Sequence, residues 1–390
     1  MPNHATSERD AMADYTVLKL PIMLGSLSLT MLPFLLPIYG KQLGASAVDI
    51  GGLFAAAQFM IVLSRPMIGW TVDRVGRRRF FIAGVACYSV AMGLFALASN
   101  LTTLYLAQLL QGVASALTWT SVYTITTELA RPAQQGKAIG SVDEYSHRGG
   151  LYGMVLAVML LGWLTLDAAL RVLFLSYAAL AAGGLWWAWK QTPETRRPAS
   201  TVPAERLSWP LVNVMLVVFL SYVGTAMLRP MFLVFLQDEF TRDVRLLALA
   251  FLPAMMLESF LPSRLGRLSD RWGRRPLIIA GLTWVGLSCV LVPIVSNLAW
   301  IIMLWTLKAL GLAAAMPPQK ALISDFTEPT QRGTGYGLYT FTSSLGSTIG
   351  ALLGGWGYEA IGPAAPFFCV ALLFVSSRGW VAVLLKRSSA

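Results

Sequence analysis

Charge is scarce in this chain. Only 13% of its 390 residues are Asp, Glu, Lys or Arg, where a soluble domain of this size carries about a quarter. Histidine is nearly missing, with two residues, and there are three cysteines. Cys87, Cys289 and Cys369 all fall inside apolar runs without metal or redox spacing, so they read as small core hydrophobes. A disulfide framework and a tight structural zinc site are thereby excluded. There is no phosphate-cradling G-x-x-x-x-G-K-[ST] loop, and no Ser/His/Asp or paired-His arrangement. These absences exclude the common enzyme classes, and no cofactor is expected.

What is present is hydrophobic length. Apolar residues make up 56% of the chain and the mean hydropathy is +0.63. Runs near 20 residues recur throughout, enough to cross about 30 Å of hydrocarbon as a helix. They lack the period-two alternation of barrel strands, so the fold class is all-α. Twelve spans are expected, at 18–40, 48–70, 79–98, 101–127, 137–165, 168–190, 209–236, 244–263, 277–296, 299–325, 333–357 and 364–386. The formal charge of +11 sits in alternate gaps between them, at Arg74 and Arg77 to Arg79, at Arg131 and Lys137, in 190–206, at Arg264 to Arg275, at Arg332 and at Lys386 to Arg387. That is the positive-inside pattern, which puts both termini and the central loop in the cytoplasm. It leaves no basic stripe for nucleic acid. The polar N-terminus lacks a cleavage site after a short apolar core, so the first span reads as an uncleaved signal anchor.

The chain also repeats itself. GWTVDRVGRRR begins at Gly69 and GRLSDRWGRRP at Gly266, 197 positions later. The same offset relates Glu128 to Asp325, Gly149 to Gly346, Gly153 to Gly350 and Pro33 to Pro230. Two six-helix halves follow, 1–190 and 209–390, joined by a linker over 191–208, with substrate expected at their interface.

The G-x-x-x-D-R-x-G-R-R loop, present twice, resembles the signature of the major facilitator superfamily. The likeness covers essentially the whole chain and is closest in pattern to the drug/proton antiporter-like branch. Two parts of that branch's pattern are missing: Gln108 stands where those proteins carry an Arg, and Met154, Ala157 and Val158 replace the Pro and later glycines of span five. The resemblance implies a breakable charge network at the cytoplasmic gate. It would comprise Gly69, Asp73, Arg74, Gly76, Arg77 and Glu128 in the first half, and Gly266, Asp270, Arg271, Gly273, Arg274 and Asp325 in the second.

Ionisable groups inside spans are costly and mark cavities or proton paths. The densest group is Asp143 to Arg148 in span five. Glu144 and Arg148 are spaced as an i,i+4 ion pair. Asp143 and His147 have the same spacing, and a carboxylate there would hold the imidazole proton more firmly. Asp143, Glu144 and His147 also form the only plausible ligand set if a divalent metal or its chelate is carried. In the second half, Arg229 beside Pro230, Glu258, Lys308 and Lys320 complete the expected cavity, with Arg229 and Glu258 able to pair. Span one carries no acid, which argues against a cation-selective site there.

The resulting expectation is a monomeric, multi-pass protein of the bacterial inner membrane. It would be a secondary transporter that moves a small anionic or zwitterionic solute by alternating access, with protons as the coupling ion and export favoured. Proton-driven uptake and metal or metallophore transport are the alternatives; a non-transporting sensor or scaffold is a remote one.

Overall fold

The computed structural model describes residues 15–29, 31–130, 135–195, 209–326 and 332–387. Most of the linker, at 196–208, lies outside them. Among the described residues the regular structure is entirely helical. Among the described residues, six helices are long and apolar enough to cross a membrane on length and composition, including Arg77–Ala96 and Arg274–Ile294.

The chain forms two compact units, Met1–Tyr39 with Phe59–Val202 and Gly40–Gln58 with Pro203–Ala390. The second unit thus takes in the end of the first span and the start of the second. Three contacts tie that segment to it. Lys41 pairs with Asp238, its own repeat mate at an offset of 197. The Val48 amide donates to Glu359 at 3.1 Å, and Gly51 lies against the Ala351 carbonyl and Gly355.

In the first unit, α1 (Lys19–Gly25) and α2 (Leu32–Gln42) share the first span. The spacing had suggested one helix over 18–40. The break follows Gly25, at Ser26-Leu27-Ser28, where Gly25 and the two serines are weaker helix formers than the leucines and methionines around them. A turn hydrogen bond from Leu29 N to Ser26 O at 3.0 Å interrupts the helical ladder there, which resumes with Leu32 N to Ser28 O at 2.8 Å. Next come α3 (Ala47–Val75), α4 (Arg77–Ala96), α5 (Leu101–Leu129), α6 (Gln135–Trp163) and α7 (Leu166–Gln191). Their core joins Phe81, Val85, Val122, Ile125 and Val142 to Leu18 and Ile22.

In the second unit, α8 (Trp209–Glu239) stays continuous through Pro230. The eighth span divides into α9 (Val244–Phe260) and α10 (Pro262–Trp272). Pro262 has no N–H and takes the first helical position of α10, where none is needed. Then follow α11 (Arg274–Leu291), α12 (Leu298–Asp325), α13 (Arg332–Ala360) and α14 (Ala365–Arg387). Phe232 stacks on Trp305 with ring centroids 3.6 Å apart, and Phe251 closes against both.

The repeat is visible in the packing. Asn100 and Asn297, 197 apart, each cap the helix that follows, accepting from the Thr103 and Ala299 amides. Gly84 lies against Thr118, and its mate Gly281 against Ala315, the mate of Thr118. Gly149 and Gly153 let α6 approach the Met23 and Leu27 carbonyls of the first span, as Gly346 and Gly350 let α13 approach those of Phe219 and Val223 in α8. Leu27 and Val223 are 196 residues apart rather than 197. The broken first span is therefore one residue out of register with α8 on this side of its break.

Candidate functional site

The helical course of α6 through 143–148 fans its polar residues onto several neighbours. Asp143 is half-buried and its Oδ1 accepts from the Tyr123 hydroxyl of α5 at 2.8 Å. Glu144 pairs with Arg148 at 2.5 Å on the exposed side. The Tyr145 ring has the Lys19 ammonium 5.0 Å and the Arg148 guanidinium 4.9 Å from its centroid. Ser146 is buried and donates to Ser26 at the break in the first span, at 2.9 Å.

His147 differs from expectation. Its Nδ1 meets the backbone carbonyl of Asp143 at 2.7 Å, not the carboxylate, which is turned to Tyr123. The i,i+4 spacing brings the imidazole over the preceding turn, where the carbonyl is as near as the side chain. Among the described residues, no three His, Cys, Asp or Glu side chains gather into a metal-holding group. Asp143, Glu144 and His147 thus do not converge as ligands.

In the second unit, Arg229 of α8 reaches Glu258 of α9 at 3.8 Å, both partly exposed. Lys308 of α12 is only 3% exposed, and its ammonium sits 4.0 Å from the Trp305 centroid. Glu258, Cys289 and Arg229 are its electrostatic neighbours. The stack of Phe232 on Trp305 fixes the ring beneath that ammonium. Among the described residues, two basic side chains thus lie within electrostatic reach of one carboxylate. Lys320 stands apart and exposed, 5.9 Å from the Tyr339 ring, whose hydroxyl bonds Tyr222 at 2.7 Å.

At the repeated loop, the structure brings Arg77 and Glu128 to 3.0 Å, both nearly buried. A third group joins them. Glu194, just past α7, accepts from the Arg77 backbone amide at 2.8 Å, so a carboxylate caps the N-terminus of α4. Arg78 donates to the Trp189 carbonyl at 2.5 Å. Glu194 had been read only as part of a polar linker. In the second copy Gly273 has φ 88°, Arg271 is exposed and Arg274 half-buried. The surroundings of Gly69 and Gly266 and the side chains of Asp73, Arg74, Asp270 and Asp325 lie outside what is described.

Gly76 has φ 112° and ψ 146°, backbone that only glycine adopts without strain. A Cβ there would also meet the Glu194 carboxylate at 2.8–2.9 Å. Gly76→Ala is expected to cost about 1–3 kcal/mol, read as a lower unfolding midpoint in detergent. An unchanged midpoint would show that the loop relaxes without loss.

Arg65 of α3 and Lys19 of α1 were missed in the sequence. Arg65 lies within an apolar run, so the rule that singled out Arg229 applies equally to it. Gln108, at the position of the missing Arg in span four, is buried with its Oε1 unpartnered.

The family model described as Major Facilitator Superfamily matches residues 22–211 and 214–389. The chromaffin granule amine transporter of Rattus norvegicus is 26% identical over 331 residues, covering 81% of this chain and 61% of its own length. The multidrug resistance protein MdtH of Proteus mirabilis is 38% identical over 92 residues, 23% of each chain. A crystal structure of a bacterial homolog of the human lysosomal transporter Spinster, inward-facing and occupied, superposes with a TM-score of 0.82 at 16% identity, covering 99% of this chain and 98% of that one. The chain spans about three fifths of the length of the amine transporter it matches.

Proposed function

Because the chain belongs to the major facilitator superfamily, we propose that this multi-pass membrane protein is a secondary transporter working by alternating access. Its cargo is a small polar solute, anionic or zwitterionic. The observation that carries this reading is the trio in the second unit. Arg229 pairs with Glu258, and the buried Lys308 lies within electrostatic reach of both, so among the described residues two basic side chains surround one carboxylate, a lining that favours an anionic group on the ligand. A simple amine fits poorly, since the first span has no acid to receive it.

Protons are the coupling ion in this reading. Asp143, hydrogen-bonded to Tyr123 inside the first unit, is the group placed to load and release one. Export is the direction supported by the multidrug resistance relative, and the basic loops support an inner membrane with cytoplasmic termini. The Arg77–Glu128–Glu194 cluster acts as a gate that must open once per cycle.

A ligand-stabilisation screen of the purified chain tests the cargo class, using organic acids, amino-acid derivatives, organic cations and metal chelates. Anionic or zwitterionic members should raise the unfolding midpoint. Arg229→Ala should weaken the best of them about tenfold or more, the worth of one charge-assisted hydrogen bond. Stabilisation by cations alone, or undiminished binding in Arg229→Ala, would overturn the assignment.

A further inference from the structure

Arg65 lies in α3, within the apolar run ahead of the loop motif, and no role given above uses it. Its Nη1 is buried and has no hydrogen-bond partner. Among the described residues no carboxylate forms an ion pair with it. The ionisable group that acts on it is Tyr123. That hydroxyl is already donated to Asp143, so it offers the guanidinium no counter-charge.

A guanidinium stays charged at any physiological pH and carries five N–H donors in a rigid fork. Held inside a membrane span without a counter-ion, such a group is expensive. The fork matches a carboxylate or a phosphate, which can accept two parallel hydrogen bonds. The site thus offers a cation with an unsatisfied buried donor, beside the Tyr123–Asp143 hydroxyl–carboxylate pair.

We propose that Arg65 is the oxyanion receptor of the first unit, holding the carboxylate or phosphate group of the carried solute by its guanidinium fork. The identity of the ligand rests on the transport reading above. The test does not, because it scores binding in detergent whether or not flux is seen.

The purified full chain is melted in sodium chloride and then, at equal ionic strength, in acetate, benzoate or inorganic phosphate. At least one of these anions should raise the wild-type midpoint. R65Q should bind it about tenfold or more weakly. R65K should keep part of the effect as a point charge without the fork. R242Q, at an exposed arginine outside the spans, should keep all of it. If R65Q does not fold, the effective anion should protect Arg65 of the wild type from phenylglyoxal, read by mass spectrometry. The proposal is overturned if no anion stabilises the wild type, if R65Q responds like the wild type, or if the anion gives no protection. Loss of transport with anion binding intact would instead remove the transport reading and leave Arg65 as a receptor.

Discussion

Gly153→Ala should unfold the first unit or come close to it. A Cβ at this position would overlap the Leu27 carbonyl oxygen and lie 2.6 Å from its carbon. Those are backbone atoms, so no rotamer change relieves the contact; α6 must move away from the first span. That movement would also pull Ser146 from Ser26 and strip the Tyr177 hydroxyl of its acceptor, the Gly153 carbonyl, which it meets at 2.7 Å. Overpacking in a close-packed interior costs about 1–3 kcal/mol, and the two lost hydrogen bonds add about 1 kcal/mol each. The expected outcome is a collapse in yield of monodisperse protein, or a steep fall in the unfolding midpoint. The repeat mate Gly350, where a Cβ would clash with the Val223 carbonyl, should behave alike. Gly162, with open space around it, is the control and should tolerate alanine.

Glu128→Gln should have the second large effect. Arg77 and Glu128 are almost wholly buried at 3.0 Å, and removing one partner of such a pair unbalances the charge network that holds the other, at a cost of up to about 3–5 kcal/mol. Replacing both should be far milder. Arg77→Met combined with Glu128→Leu keeps the Arg77 backbone amide on Glu194 while removing both buried charges. Denaturant titration of the two single variants and the double variant gives the coupling energy directly. A double variant as unstable as the sum of its parts would mean that the two side chains do not act as a pair.

Much of the architecture was legible because duplication writes the same constraint twice. A glycine such as Gly149 could be anything alone; with Gly346 at the same offset as the loop motif, it marks a place where two helices nearly touch. The break at Ser26 was not legible in that way. Its repeat mate α8 runs unbroken, and a short Gly-Ser stretch inside an otherwise apolar run does not by itself mark a helix end. Nor could a linear reading assign residues 40–58 to the second unit. That depends on Lys41 meeting Asp238 and Gly51 meeting Gly355, both far off in sequence.

At the candidate site, spacing along α6 named the right residues but not their partners. An i,i+4 pattern says that Asp143 and His147 share a face. It does not say that Tyr123 of another helix takes the carboxylate and leaves the imidazole a backbone carbonyl. Glu194 was hidden by its setting, a polar stretch where a carboxylate is ordinary until the N-terminus of α4 is seen against it. Arg65 needed no structure to be noticed, only the same attention to charges inside spans that Arg229 received.

The central claim is that protons and a small anionic or zwitterionic solute move through this protein in linked steps. Liposomes containing the chain and an internal pH dye, placed under an imposed pH gradient and challenged with organic acids and amino-acid derivatives, test it most directly. At least one of these solutes should evoke proton movement with the wild type, and Asp143→Asn should abolish it. Proton movement that is absent for every solute, or equal in Asp143→Asn and the wild type, would contradict it.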